Sequence, residues 1–316
     1  MYNNDLKVEF IRQKTRNINT ADFYQAIFNR FSEFEERAGL DICLMSTEQL
    51  QDALESTNIM KASSISAYLL TLKEYAKWCV ENGIQGATLN ILHVDDPSAA
   101  VIKKRMVSSP VDLQSFLDSV YDKEEKETTD NIYRAYFWLA FCGVQPESVF
   151  ALTSDDVDCS NGIVFADWKR YKVYKEGIKS IKNCATLQSF VYLNANYKNA
   201  GAISRPRIDG EHLLRGVRGT FNEVNANVLI QRAIVRAKKS GKTSMSPTYQ
   251  TVWLSGQFFR IYQKELVGVE VDFIEIAGEI MRSKKRDGTM SSRRRLRDSA
   301  NHYRTEYNKW KSAFNL

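Results

Sequence analysis

Residues 92–110, Leu-His-Val-Asp-Asp-Pro-Ser-Ala-Ala-Val-Ile-Lys-Lys-Arg-Met-Val-Ser-Ser-Pro, interrupt a helical apolar rhythm and hold two of the chain's five prolines, Pro97 and Pro110. Proline lacks a backbone N–H and restrains the residue before it, so a stretch of this kind reads as a connection. At 316 residues the chain is long enough for two cores. The organisation expected is a helical domain over 1–95, a linker over 96–110 and a larger domain over 111–316.

Ahead of the break, Phe23, Ile27, Phe28, Phe31 and Phe34 recur at the steps that line one face of a helix. Ser46-Thr-Glu-Gln-Leu50 opens a second helix with a hydroxyl cap. A third starts near Ser63-Ser64, buries Ile65, Tyr68, Leu69, Leu72, Tyr75, Ala76 and Cys79, and stops at Asn82-Gly83. Beyond Pro110, Val111, Leu113, Phe116 and Leu117 resume the pattern, and Tyr133–Cys142 is an apolar helix. Asn161-Gly162 marks a turn, Ile163–Trp168 reads as a strand, Lys169–Gly177 as a polar connection, and the alternation of Ile178–Cys184 as a second strand. Residues 187–200 and 221–240 read as helices. The fold class is therefore mainly α with a small antiparallel β-sheet.

No run approaches the length of a membrane span, and Met1-Tyr-Asn-Asn-Asp5 lacks a basic head before an apolar stretch, so a cytoplasmic protein with no membrane partner is expected. Cys43, Cys79, Cys142, Cys159 and Cys184 are odd in number, scattered and without a C-x-x-C pair. They read as reduced thiols, and neither a metal nor a cofactor is expected. The net charge of +6 conceals an asymmetry: residues 1–200 hold 22 Lys and Arg against 27 Asp and Glu, whereas residues 201–316 hold 22 against 11. A basic surplus of this kind attracts polyanions.

The segment Phe141-Cys-Gly-Val-Gln-Pro-Glu-Ser-Val-Phe-Ala-Leu-Thr-Ser-Asp-Asp-Val-Asp158 resembles the first active-site segment of the tyrosine recombinases, the phage integrase family, whose pattern is T-G-L-R-x-S-E-L-x-x-L-x-x-x-D-I-D. Gln145 stands where that family carries its first catalytic arginine. A neutral amide lacks the fixed charge and planar fork that an arginine offers to a phosphate. The family's second cluster, His-x-x-Arg at a helix start, corresponds to Trp253-Leu-Ser-Gly-Gln-Phe-Phe-Arg-Ile-Tyr-Gln-Lys-Glu265, with Arg260 retained and Gln257 in place of the histidine. Its third element, a Leu-Gly-His ahead of the nucleophile, is absent; Arg294 and Asp298 stand there, away from His93, His212 and His302. Asn301–Phe314 resembles the nucleophile segment, and Tyr303 and Tyr307 lie at a spacing equally suited to amphipathic packing.

This resemblance implies a two-domain clamp, a helical core-binding domain plus a degenerate catalytic-type domain, that binds double-stranded DNA and has lost recombinase chemistry. Ser63 and Ser64 at the start of the third long helix, with Lys61 before them, would then lie near phosphates, as would Lys103, Lys104 and Arg105 of the linker. In the family a hairpin tip carries a catalytic lysine, to which Lys169, Arg170, Lys172 or Lys175 could correspond. Arg205, Arg207 and Arg218 add cations, and the run Arg282–Asp298 holds eight Lys and Arg against two acids. Within it Lys284, Lys285, Arg286, Arg293, Arg294, Arg295 and Arg297 are candidate DNA contacts, with Asp287-Gly288 as a turn and Ser291-Ser292 as a helix cap. The function expected is sequence-specific regulation, a prophage repressor associated with the bacterial nucleoid and similar to phage master repressors that use a recombinase fold. An antirepressor protein or peptide and weak self-association on DNA complete the expected partners. The alternatives are a divergent active integrase using Tyr303 or Tyr307, and an accessory architectural protein that assists one.

Overall fold

In the computed structural model, which describes residues 2–56, 62–121, 130–192, 203–216, 219–284 and 293–316, side-chain caps open the second and third helices. Helix α1 covers Asn4–Lys14, and α2, Ile18–Ala38, starts where Asn17 accepts the Thr20 N–H at 3.3 Å. Helix α3, Thr47–Ser56, is entered through a reciprocal pair in which Ser46 accepts from Gln49 N and Gln49 Oε1 accepts from Ser46 N. Helix α4, Ala62–Glu81, supplies Ile65, Leu69, Leu72, Tyr75, Ala76 and Cys79 to the interior. Of these, Leu69, Leu72, Tyr75, Ala76 and Cys79 pack with Phe10, Ile27, Phe28, Phe31 and Leu50 into one core. Beneath it Lys7 Nζ reaches Glu35 Oε1 and Oε2 at 2.5 and 2.6 Å, both side chains wholly buried, and Asp41 stands 3.6 Å away.

The chain divides into two compact units, Met1–Ile102 and Lys103–Leu316. The stretch read as an irregular linker is largely structured: a 3-10 turn covers Asn90–His93, and helix α5 covers Ser98–Arg105 directly after Pro97. Proline is well tolerated just before a helix, so it marks a start here and not a break.

In the second unit Ser109 caps helix α6, Pro110–Val120, by accepting the Asp112 N–H at 3.2 Å, with Pro110 in the first turn. Helix α7, Asp130–Cys142, is buried on nearly every side and forms the centre of the core with Trp138, Phe141, Trp253 and Ile234. Strands β1 (Val157–Asp158), β2 (Ile163–Ala166) and β3 (Lys169–Lys172) make an antiparallel sheet in that order, with Phe165 opposite Arg170 and Ala166 opposite Lys169. Helix α8, Lys175–Thr186, follows. Strands β4 (Ser189–Tyr192) and β5 (Ile203–Pro206) pair antiparallel, and helices α9 (Glu223–Lys239), α10 (Tyr249–Leu266), α11 (Phe273–Lys284) and α12 (Arg293–Ala313) complete the unit. The class is mainly α with a small antiparallel sheet, as the sequence reading has it.

Three local expectations are corrected. Lys169–Gly177 is no plain connection, since its first four residues are strand β3. Ile178–Cys184 is helical and not a strand: Gly177, Ser180, Ile181 and Cys184 are the buried positions, a helical spacing that overrides the apparent alternation. The expected helix over 187–200 begins instead as strand β4, and residues 193–200 lie outside the described ones.

Candidate nucleic-acid interface

Helix α7 ends in a tight reversal. Gly143 N–H donates to Ala140 O and Val144 N–H to Leu139 O, with Gly143 at φ 108, a conformation that favours glycine. The carbonyls freed at this helix end are captured by donors from α10. Tyr249 Oη donates to Val144 O at 2.9 Å, Trp253 Nε1 to Gly143 O at 3.0 Å, and Arg260 Nη1 to Phe141 O at 2.7 Å. Gly256 lies against the Phe141 carbonyl so closely that a Cβ there would collide with it. Helix α10 therefore grips the end of α7, and the grip orients Arg260.

A cleft of about 700 Å³ opens over this junction, and the residues singled out in the sequence converge on it. Gln145 enters from the loop after α7, Gln257 and Arg260 from α10, and Lys169, Arg170, Lys172 and Lys175 from β3 and the start of α8. Lys264, which the sequence reading did not select, also lines it; its signal was its place one turn beyond Arg260 on the same helix face. Among the described residues six cationic side chains thus line the cleft with one acid, Glu279 of α11, whose carboxylate lies 3.6 Å from Lys169 Nζ with both side chains more than half exposed. Nothing in the sequence pointed to Glu279.

Arg260 also reaches the Tyr174 hydroxyl; burial raises that phenol's pKa, and Arg260 partly opposes the rise. The Cys142 thiol in the cleft wall is pushed up to about 11, chiefly by burial. The lining thus joins fixed positive charge with the neutral amides of Gln145, Gln257 and Gln263, an arrangement suited to holding an anion. Gln145 and Gln257 can donate hydrogen bonds but cannot relay a proton near neutral pH.

Neither C-terminal tyrosine is among the residues lining the cleft. The Tyr307 ring is buried between Phe258, Phe273 and Trp310, and its hydroxyl donates to Glu265 Oε2 at 2.6 Å. Its pKa is raised by burial first and then by that carboxylate. Tyr303 packs against the main core, and burial raises its pKa as well.

The remaining candidates separate. Arg207, expected at DNA, is only 5 % exposed, and its guanidinium donates to the carbonyls of Cys184, Leu187, Leu213 and Arg215. It is a strut of the fold, because a guanidinium spent on carbonyls has little left for phosphate. Lys103 and Lys104 are exposed and Arg105 is half-buried. Lys104 and Arg105 lie close enough to Lys238 that they add to burial in depressing its pKa. Ser64 is half-buried near the start of α4, and Arg295 and Arg297 are exposed on α12. Lys61, Arg218, Lys285 and Arg286 lie outside the described residues, as do the side chains of Ser63, Arg205, Lys284, Arg293 and Arg294 and the Asp287-Gly288 and Ser291-Ser292 pairs. Among the described residues no cluster of His, Cys, Asp or Glu could hold a metal, and no helix is long and apolar enough to cross a membrane.

Residues 1–81 match the family described as MrpR, N-terminal core-binding domain. Among solved structures, the Tn1549 transposon integrase (residues 82–397) in complex with circular intermediate DNA is 14% identical, with a TM-score of 0.36 over 82% of this chain and 86% of that one. The integrase from mycobacterium phage Brujita is 15% identical, with a TM-score of 0.33 over 98% and 92% of the two chains. Among curated proteins there is no match. Residues 1–81 are therefore similar to MrpR-type core-binding domains.

Proposed function

We propose that the chain is a sequence-specific regulator that binds duplex DNA, a prophage repressor on an integrase-family frame, and that it does not cut the strand it holds. One observation carries this reading: the cleft gathers Arg260, Lys169, Arg170, Lys172, Lys175 and Lys264, while amides, Gln145 and Gln257, occupy the places where the resemblance puts an arginine and a histidine. The cations suit the placement of a phosphate backbone, a task that needs charge and no proton transfer. Phosphoryl transfer asks for more. Electrostatic and acid–base groups each contribute roughly 10²–10⁴ in rate, so two amides in their place remove the larger part of the acceleration. The core-binding match over residues 1–81 supports DNA as the partner.

The test is selection of bound fragments from a genomic library, followed by gel shift and denaturing electrophoresis of each recovered site. The reading expects one motif to recur in promoter regions, with binding that reverses in salt and leaves no covalent adduct. An adduct lost on Tyr303→Phe or Tyr307→Phe would make the protein a recombinase. Binding that has an effect only alongside an active integrase would make it an accessory factor.

A further inference from the structure

The β2–β3 hairpin ends in an exposed tryptophan. Trp168 is 106% exposed, whereas Trp138, Trp253 and Trp310 are at 0%, 1% and 0%. Tryptophan is highly buried on average, so full exposure at a loop tip is unusual. The backbone there is also unfavourable for it. Asp167 and Trp168 have φ of 52° and 61°, the left-handed pair that a two-residue hairpin turn requires and that Asn-Gly ordinarily supplies. A bulky side chain at the second of these positions is an outlier.

The turn is held from outside. Ser148 Oγ donates to the Asp167 carboxylate, 2.6 Å from each oxygen, and Ser148 lies in the loop that begins with Gln145. The two residues after Trp168, Lys169 and Arg170, line the cationic cleft, and the Arg170 guanidinium lies 5.6 Å over the exposed Phe165 ring on the same hairpin. The tip is therefore a braced rim of the cleft that presents an aromatic plane next to the cations Lys169 and Arg170. Neither packing nor turn preference accounts for the tryptophan.

We propose that Trp168 is a base-contacting wedge, which enters a groove of bound duplex DNA and stacks against a partly unstacked base step while the cleft cations hold the adjacent backbone. This inference rests on the duplex-DNA reading above. Apolar side chains inserted between base steps bend DNA, and aromatic rings stack on bases with little sequence preference. The neighbouring cations supply attraction, and the indole supplies a stacking contact that a nucleobase can satisfy and a bare polyanion cannot.

The test follows tryptophan emission of the full chain and of its Trp168→Gly variant. The ligands are sonicated double-stranded genomic DNA, a single-stranded oligonucleotide, and heparin as a polyanion without bases. Glycine suits the turn, so the variant should fold with an unchanged or higher melting midpoint. The expected result is that double-stranded DNA quenches the emission attributable to Trp168, heparin does not, and the variant binds duplex roughly tenfold or more weakly with heparin affinity unchanged. Equal responses to heparin and DNA, or undiminished duplex affinity of the variant, would overturn the wedge while leaving the DNA reading intact. Stronger quenching by the single strand would overturn duplex insertion in favour of an unpaired-strand platform. Failure of the wild-type chain to bind any DNA at low salt would remove the DNA reading itself, and the wedge with it.

Discussion

Gly143 and Arg260 depend on one another. A Cβ at residue 143 would lie 2.8 Å from Arg260 Nη2, and the φ of 108° is already outside the range that side chains favour. Gly143→Ala should cost about 1–3 kcal/mol in denaturant unfolding and weaken DNA binding by displacing the guanidinium. Arg260→Lys keeps the charge but not the fork that bonds Phe141 O while facing the cleft, so its duplex affinity should fall between those of wild type and Arg260→Ala. Glu279→Gln should act in the opposite direction. The Lys169–Glu279 pair is exposed and contributes little stability, so its loss should leave the melting midpoint nearly unchanged and raise duplex affinity severalfold. In the first unit, Lys7→Met leaves the buried Glu35 carboxylate without its ammonium partner, and unfolding should show a loss of about 3–5 kcal/mol.

At the level of elements, the sequence was most legible where one helical face is apolar and a cap precedes it. The α2 and α6 helices have that pattern, and their buried residues include most of those the spacing picks out. It misled where short segments carry both periods. Ile178–Cys184 alternates as a strand would, yet Gly177 nestles under Trp138, where a Cβ would come within 2.6 Å of the indole ring, and that helix packing decides the conformation. Gly177→Ala should therefore loosen the α7–α8 contact and lower the melting midpoint more than an alanine at the exposed Lys179 does. The cleft was half legible. Gln145, Gln257 and Arg260 were found through their resemblance to a catalytic segment, and the hairpin lysines through their place after it. Lys264 was marked only by its place one turn beyond Arg260, Glu279 needed the packing of α11, and Arg207 gave no sign of being a buried strut because backbone carbonyls, which leave no mark in a sequence, hold its guanidinium.

Over the whole molecule the charge divides between the two units. Residues 1–102 hold 9 Lys and Arg against 14 Asp and Glu, net −5, whereas residues 103–316 hold 35 against 24, net +11. Affinity for a polyanion should therefore be driven mainly by the second unit, where the cleft lies. Each phosphate neutralised steepens the fall of affinity with salt by about 0.9 on logarithmic axes. Removing one contacting lysine should reduce that slope by about one, whichever sequence is bound. The most direct measurement is a salt titration of duplex binding by the wild-type chain and by Arg260→Ala and Lys172→Ala, with every sample also denatured and resolved to detect protein covalently joined to DNA. Steep, reversible salt dependence in the wild type, a shallower slope in both variants and no covalent species are the results predicted. Salt slopes unchanged by both substitutions, or a covalent protein–DNA species, would contradict a cleft that holds DNA without cutting it.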